Sequence, residues 1–249
     1  MKKRILVSND DGVHSEGLYV LTEALSGLGE VFVVAPDREQ SAASHALSLY
    51  SPLRVEEIHP GIYSVDGTPT DCVNLAVNGL LKDKRPDLIV SGINKGGNLG
   101  DDITYSGTVS AAIEGTLLGI PSVAVSLATR NSFKFQTAAH YSFEIAKYVL
   151  QYGLPEGVLL NVNIPNLSIE EVKGIKVTTQ GKRVYGEPIV EKVDPRGRKY
   201  YWIGGDELGF LEIESSDIVA VHEGYISVTP IKLDLTDYGF LEILRKDLE

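Results

Sequence analysis

Short apolar runs alternate with amphipathic stretches along the first 165 residues of the chain. Runs of β-forming residues at 5–7, 31–35 and 87–91 predict buried strands, because a strand inside a parallel sheet is apolar on both faces. Between the first two runs, residues 16–28 carry apolar side chains at helical spacing. The order strand, helix, strand is that of a right-handed βαβ unit. The pattern therefore predicts an α/β fold with a Rossmann-like, doubly wound and mostly parallel sheet.

The alternation of strands and helices continues as far as Pro165. A loosely alternating stretch at 47–63 contains prolines and predicts short antiparallel edge strands. The remaining elements follow in the order expected of a doubly wound sheet. They are helices at 67–81, 109–118 and 135–152, and strands at 120–125 and 158–163.

Beyond Pro165 short strands and turns replace the long helices. Residues 194–197 (Asp-Pro-Arg-Gly) indicate a hairpin turn, and three adjacent aromatics at 200–202 lie on the same hairpin. A hairpin has little core of its own, so we expect it to pack on another subunit. The predicted elements are strands at 172–179, 185–193, 199–203 and 225–231, and helices at 216–222 and 238–248. We therefore expect a single domain, with the sheet core over 1–165 and C-terminal β-hairpin extensions and a closing helix over 166–249.

The charge balance restricts the partners of the protein. Lys and Arg number 23 against 34 Asp and Glu, which gives a formal net charge of −11 over 249 residues. That sign argues against nucleic acid polymers and anionic membranes as partners. If the substrate is an anion, a bound cation must supply much of the attraction.

The sequence also favours a cytoplasmic location. The apolar run after Lys2-Lys3-Arg4 stops at Val7, which is too short for a signal peptide. No stretch approaches the length needed to span a membrane. The lone Cys72 allows no internal disulfide, as is usual in a reducing compartment.

The first predicted strand ends in Asn9-Asp10-Asp11-Gly12. In an open α/β sheet, ligands bind beyond the carboxyl ends of the strands, where these acids fall. Two adjacent carboxylates repel each other unless they gain a cation, so the pair indicates a metal site. The alternative is a plain turn, since Asn, Asp and Gly are also favoured there.

Two further loops lie at the same expected edge. The loop at 36–45 contains Ser41 and His45, which are either ligands or ordinary loop residues. The loop at 92–100 holds four glycines in nine residues, but it matches neither the Walker A pattern nor G-x-G-x-x-G. Side-chain carbonyl oxygens of Asn94 or Asn98 remain suitable for a hard cation.

The segment Tyr105-Ser106-Gly107-Thr108 directly precedes a predicted helix. Free N–H groups at a helix start, together with the helix dipole, can bind a phosphate. The alternative is an ordinary N-cap, which serves only the helix. Alone, the segment does not decide between these two interpretations.

Six blocks of sequence, in order along the chain, go beyond these separate signals. They are Val7–Gly12, Ala35–Ser41, Gly67–Cys72, Ser91–Gly96, Ser106–Ala112 and Gly224–Pro230. Together they resemble the survival protein E (SurE) nucleotidase family over essentially the whole chain. The resemblance implies a metal-dependent phosphatase of nucleoside 5′-monophosphates. It also implies C-terminal hairpins exchanged between the subunits of a homodimer or homotetramer.

The resemblance further assigns roles to individual residues. The family's metal ligands fall on Asp10, Asp11, Ser41 and Asn94. This all-oxygen set favours one Mg²⁺ or Mn²⁺ per subunit over Zn²⁺. Asp10 or Asp11 is then the catalytic group that orients water or takes its proton, although an aspartyl-phosphate intermediate stays open. The expected phosphate contacts are Ser106, Gly107 and Thr108, with Asn9, Lys95 and Asn98 in second rank.

Other functions remain open at this point. His45 is either an acid for the leaving group or a packing residue. The same site would also suit a broader phosphoesterase acting on 3′-nucleotides or short polyphosphate. A non-catalytic nucleotide or metal sensor would keep the ligands without turnover, and a Rossmann-like scaffold with unrelated loops is the plainest alternative.

Overall fold

The computed structural model describes residues 2–184, 189–203 and 209–248 of the chain. Strands and helices alternate through its first part. The elements up to residue 165 are β1 (Arg4–Ser8), α1 (Glu16–Leu25), β2 (Glu30–Pro36), β3 (Val55–His59), β4 (Ile62–Val65), α2 (Pro69–Leu75), a π-helical turn (Ala76–Leu80), β5 (Leu88–Lys95), a 3₁₀ helix (Gly100–Thr104), α3 (Gly107–Leu117), β6 (Ser122–Ala128), α4 (Phe135–Tyr152) and β7 (Val158–Pro165).

Shorter elements follow residue 165. They are β8 (Ile175–Val177), β9 (Arg183–Val184), β10 (Ile189–Val193), β11 (Lys199–Ile203), β12 (Gly209–Phe210), α5 (Asp217–His222), β13 (Ile226–Lys232) and α6 (Tyr238–Leu248). The predicted strand at 185–193 is observed from Ile189, and its first four residues lie outside the described ones. Within the described ranges, no helix combines the length and the apolar character needed to cross a membrane.

Nine of the described strands form one sheet, in the order β3-β4-β2-β1-β5-β6-β7-β13-β8. Neighbouring strands from β4 to β7 all pair in parallel. β3 runs antiparallel to β4, and β13 antiparallel to β7. The predicted α/β fold with a Rossmann-like, mostly parallel sheet is therefore confirmed.

Helices cover both faces of this sheet, as the apolar runs of the strands require. In β1, Ile5 and Val7 are fully buried in the core on the side of α1 and α4. Leu6, between them, faces the second core, which contains residues of α2 and α3. Burying each such side chain stabilises the fold by about 1.5–3 kcal/mol. The carboxyl ends of the strands are left as the place where polar loops gather.

Several element boundaries differ from the predicted ones. The helix predicted over 67–81 ends at Leu75 and continues as the π-helical turn. Its N-cap is Thr68, which forms a capping box with Asp71. The strand predicted to end at Ser91 continues to Lys95, so Asn94 belongs to β5 and not to a loop.

The main sheet also contains two strands from beyond Pro165, the residue at which the sheet core was expected to end. β13 pairs with β7 through six residue positions, and β8 pairs in parallel with β13. Both strands belong to residues 166–249, for which the sequence pattern predicted hairpin extensions and a closing helix. The pattern identified the strand at 225–231 but gave no information on its partner, which lies some 60 residues earlier in the chain.

The predicted hairpin is present between β10 and β11. These strands pair antiparallel, and the backbone N–H groups of Arg196 and Arg198 both donate to Asp194 Oδ1 at 2.8 Å. The three aromatics of β11 are exposed. None of the described residues of α6 is buried either, and its exposed side chains include Phe240 and Ile243.

Candidate active site

Asp10 lies at the carboxyl end of β1, buried against the start of α3. Its side chain is 5% exposed, and Thr108 Oγ1 donates a hydrogen bond to its Oδ1. The turn after it requires Gly12, whose φ of +93° is strained for other residues. The first loop and the start of α3 therefore lie against each other in the fold.

Gly107 allows this close approach. A Cβ at this position would lie 2.8 Å from Asp10 Cβ and 2.9 Å from its Oδ2, which is too close for any side chain. Ser106 caps the helix by accepting from Val109 N at 3.1 Å. The first N–H groups of α3 therefore begin directly beside the carboxylate.

Both aspartates have raised pKa values, chiefly because they are buried. Burial raises the pKa of Asp10 from 3.8 to about 6; the Thr108 hydrogen bond opposes this rise, and the charge of Asp11 adds to it. Burial also raises the pKa of Asp11, against the opposing effect of Lys95. Both carboxylates would gain from a cation at this point.

Lys95 ends β5 next to Asp11, and Asn94 directly precedes it in the strand. Lys95 N donates to Asp11 Oδ2 at 3.2 Å, which joins the two strand ends. Asn94 Nδ2 donates to Gly96 O at 2.9 Å, so the amide is turned with its nitrogen toward its own loop. Its carbonyl oxygen is the atom that could act as a ligand.

Ser41 is held differently from the other predicted ligands. The loop backbone reaches the site, since Gln40 N donates to Asp10 O at 2.8 Å. The Ser41 hydroxyl, however, is exposed and donates to Glu39 Oε1 at 2.6 Å. As a cation ligand, Ser41 would have to exchange this contact, and its ligand role stays a prediction.

Asn9 and Asn98 brace the site in this structure. The Asn9 amide is fully buried and donates to Gly12 O and to Ser15 Oγ, at 3.1 and 2.7 Å. Asn98 donates through its amide to Ser126 Oγ at 2.8 Å. These side chains hold the loops in place, and their predicted contact with phosphate stays a prediction.

The loop of Asn98 is also fixed through its backbone. Asn161 Nδ2 and Asn163 Nδ2 both donate to Asn98 O, at 2.8 and 2.9 Å, and Asn163 Oδ1 accepts from Asn98 N at 2.8 Å. Sequence reasoning missed these two β7 residues. Two asparagines at alternate positions of a buried strand were the available signal, since a buried amide needs partners.

A second buried carboxylate, Asp217, binds the backbone at Gly100, directly after the Asn98 loop. Its oxygens accept from the backbone N–H groups of Gly100, Gly181 and Ile218 at 2.8–2.9 Å. Burial raises its pKa, and these hydrogen bonds oppose the rise. This clamp, also missed from the sequence, ties the start of the 3₁₀ helix to α5.

His45 has a structural partner. Its Nε2 lies 2.9 Å from Glu114 Oε2, and Asn74 Nδ2 donates to Glu114 Oε1 at 2.6 Å. The His45 hydrogen bond lowers the pKa of the buried Glu114 carboxyl, with a smaller contribution from Asn74. The contact is the one expected of a packing histidine, and it anchors the Ser41 loop to α3.

Glu39 is an additional acid at this edge. Its charge contributes to the raised pKa of Asp11, and it is the partner of Ser41. Among the described residues, no group of three or more His, Cys, Asp or Glu side chains converges as a metal cluster. The predicted ligand set, with two acids, one hydroxyl and one amide, is not of that kind.

The chain is similar to known proteins over almost its whole length. The family model for survival protein SurE matches residues 5–187. A protein of Geobacter sulfurreducens named 5′-nucleotidase SurE is 60% identical over 97% of this chain and 92% of its own. Another so named, from Geotalea uraniireducens, is 57% identical over 98% of both chains.

A solved structure extends the similarity to three dimensions. The crystal structure of SurE protein from Aquifex aeolicus superimposes with a TM-score of 0.90 at 50% identity, covering 99% of this chain and 100% of that one. The expected membership of an enzyme family is thereby confirmed. The chain belongs to the SurE family.

Proposed function

We propose that this protein is a divalent-cation-dependent phosphatase that hydrolyses nucleoside 5′-monophosphates to nucleoside and phosphate. The observation that carries the proposal is the packing of the buried Asp10 carboxylate against Gly107 and Thr108 at the start of α3. The substrate class is supported by the relatives named 5′-nucleotidase SurE.

The chemistry of the donor set fits one hard cation. Asp10, Asp11, Asn94 and Ser41 offer oxygen atoms only, which suits Mg²⁺ or Mn²⁺. The raised pKa values of Asp10 and Asp11 fit the same interpretation, because a cation would favour their charged forms. The net charge of −11 would repel an anionic substrate, so a bound cation is needed to attract it.

In the proposed reaction, different residues act on the water and on the phosphoryl group. When bound, the cation supplies a Lewis acid that lowers the pKa of water and offsets phosphoryl charge. Asp10 or Asp11 orients the attacking water and accepts its proton. The N–H groups at Gly107 and Thr108 bind phosphoryl oxygens at the positive end of α3. The backbone N–H of Lys95 is bonded to Asp11, so the residue is next to the carboxylate pair, and its side chain is proposed to contact the same anion.

The test is phosphate release from protein stripped with EDTA and then resupplied with Mg²⁺ or Mn²⁺. We expect both metals to restore turnover of AMP and GMP, with less from a 3′-nucleotide and tripolyphosphate. Preference for the last two would indicate the broader phosphoesterase. Folded protein that binds AMP in a metal-dependent way, but releases no phosphate, would establish the sensor and contradict the proposal.

We also propose that the protein is a cytoplasmic homodimer or homotetramer. Tyr200, Tyr201 and Trp202 are exposed on β11, and none of the described residues of α6 is buried, with Phe240 and Ile243 more than half exposed. Such surfaces are typical of subunit contacts. Light scattering coupled to size-exclusion chromatography measures the mass, and a 27.0 kDa monomer at micromolar concentration would contradict the proposal.

A further inference from the structure

Tyr105 is an exposed aromatic residue directly before the helix start at which we propose phosphate binding. Its side chain is 61% exposed, whereas Ile103 and Ser106 around it are buried at 6% each. Single exposed aromatics are common on protein surfaces and need no explanation alone. Tyr105 differs from these because it directly precedes Ser106, the N-cap of the helix at which phosphate is proposed to bind.

The backbone of Tyr105 is firmly held. Its N–H donates to Asp102 O at 3.1 Å, and its carbonyl accepts from Ser44 N at 3.3 Å. Asp102 is in turn bound by Arg183 Nε at 2.9 Å. An aromatic side chain has only two rotatable bonds, so a ring on a fixed backbone binds a ligand at a low entropic cost.

The contact with Ser44 brings a second apolar segment to the same place. The loop that follows Ser44 exposes Leu47, Leu49 and Tyr50. It is fixed on its far side, where Ser48 donates to Asp71 through N at 2.8 Å and through Oγ at 2.6 Å. The loop is thus attached at both ends and yet leaves its large apolar side chains in solvent. The chain runs from the site toward this patch, since Gln40, shortly before Ser44, donates from its backbone N–H to Asp10 O.

The size of the proposed substrate makes this position significant. Consecutive Cα atoms are about 3.8 Å apart, so the Cα of Tyr105 lies within about 7.6 Å of that of Gly107, whose N–H group belongs to the proposed phosphate site. A phosphate bound there leaves the ribose and nucleobase to extend outward over the neighbouring surface. The flat, uncharged base gains little from acidic groups, whereas it can stack on an aromatic ring.

We propose that Tyr105 stacks on the nucleobase of the substrate and is a specificity-determining residue of this site. The inference rests on the function proposed above and adds the surface that holds the base. Stacking is tolerant of base identity because every base has a π-face. The enzyme should therefore accept purine and pyrimidine nucleotides with modest preference and disfavour phosphate esters without a base.

The experiment compares AMP with ribose 5-phosphate, which lacks the base, in Tyr105→Ala and Tyr105→Phe. We expect Tyr105→Ala to raise KM for AMP about tenfold while its kinetics on ribose 5-phosphate stay unchanged. Tyr105→Phe should retain the wild-type preference. The matched control is Tyr148→Ala, since Tyr148 is 56% exposed on α4 and lies far along that helix from its start at Phe135.

Two results would overturn the inference. An equal loss on both substrates in Tyr105→Ala would show a structural role, and no change in KM for AMP would remove the residue from the site. The rival surface is a cavity of about 350 Å³ lined by Leu99, Phe210 and His222. If Phe210→Ala raised KM for AMP and Tyr105→Ala did not, that cavity would be the base site.

Failure of the proposed function is distinguishable from failure of this inference. Calorimetric titration of AMP and ribose 5-phosphate into the metal-loaded protein measures the contribution of the base without any turnover. A protein that hydrolyses neither ester but binds AMP more tightly, in a way that Tyr105→Ala abolishes, would refute the phosphatase and support the stacking role. Equal affinity of wild type and Tyr105→Ala for AMP would refute the stacking role.

Discussion

Two buried aspartates, Asp10 at the end of β1 and Asp217 at the start of α5, have opposite surroundings. Three backbone N–H groups bind Asp217, from Gly100, Gly181 and Ile218. Asp10 has the Thr108 hydroxyl on one oxygen and a second carboxylate, Asp11, beside it. Burial raises the pKa of both, but only for Asp217 does the protein supply a full set of donors. Asp217 therefore stabilises the fold through its hydrogen bonds, whereas Asp10 keeps the capacity to bind a cation.

The largest expected effect follows from Asp10→Asn. The amide keeps an acceptor for Thr108 but loses the charge that a divalent cation needs, so activity should fall at least about a hundredfold. Stability should be unchanged or higher, because a buried and uncompensated charge has been removed. Phosphate release and thermal unfolding measure the two parts.

The control for this variant is Asp234→Asn, at an exposed carboxyl of the C-terminal segment, which should leave activity unchanged. Near-normal turnover by Asp10→Asn with Mg²⁺ would show that the site has been placed wrongly.

Gly107→Ala tests the contact from the other side. Alanine is normally the better helix former by about 1 kcal/mol, but here its Cβ would lie 2.8 Å from Asp10 Cβ. We expect activity to fall by about tenfold or more because the carboxylate or the helix start must move. Gly79→Ala is the control, since its nearest contact is the flexible end of Leu75 at 3.3 Å. Equal activity of the two variants would argue against close packing at Asp10.

Asp217→Asn should have the reverse profile of Asp10→Asn. An amide oxygen can still accept from Gly181 and Ile218, but the amide nitrogen cannot accept from Gly100 N. The unpaired N–H should lower the free energy of unfolding by about 1–3 kcal/mol, measured with urea. Activity per folded molecule should fall much less than in Asp10→Asn. A variant as stable as wild type would refute the clamp.

Glu114→Gln is expected to have the smallest effect. The folded-state pKa of Glu114 lies below its ordinary value of 4.5, so its contribution to stability is present above that pH. It is lost as pH falls through the folded pKa. The melting temperature of the variant should therefore be slightly below that of wild type at pH 7, and the difference should shrink toward pH 3. A constant difference across this range would show that the charge of Glu114 is not involved.

Local patterns predicted the parts of this fold that depend on local physics. The helix at 135–152 and the strand at 199–203 have the predicted bounds because apolar periodicity and turn residues determine them. Asp10 and Asp11 were placed correctly at a strand end, since polar residues after an apolar run mark the sheet edge. The approach of Lys95 N to Asp11 also follows from neighbouring parallel strands.

Contacts between distant segments could not be predicted in this way. The clasp of Asn98 by Asn161 and Asn163 joins residues more than 60 positions apart, and the Asp217 bond to Gly100 spans 117. No periodicity encodes which buried amide meets which loop. The sequence therefore did not indicate that Asn98 is held by Ser126, Asn161 and Asn163, and its contact with phosphate stays a prediction.

β7 is synthesised well before β13, the strand that pairs with its free edge. β7 is complete at Pro165, but its antiparallel neighbour is made only at residues 226–232. While the ribosome adds the intervening residues, β7 has a bare edge, and bare apolar edges are templates for pairing with other chains. Newly made chains should thus be most prone to aggregate before Ile226 emerges. A nascent chain arrested at this stage would depend on chaperones in a way that the finished protein does not.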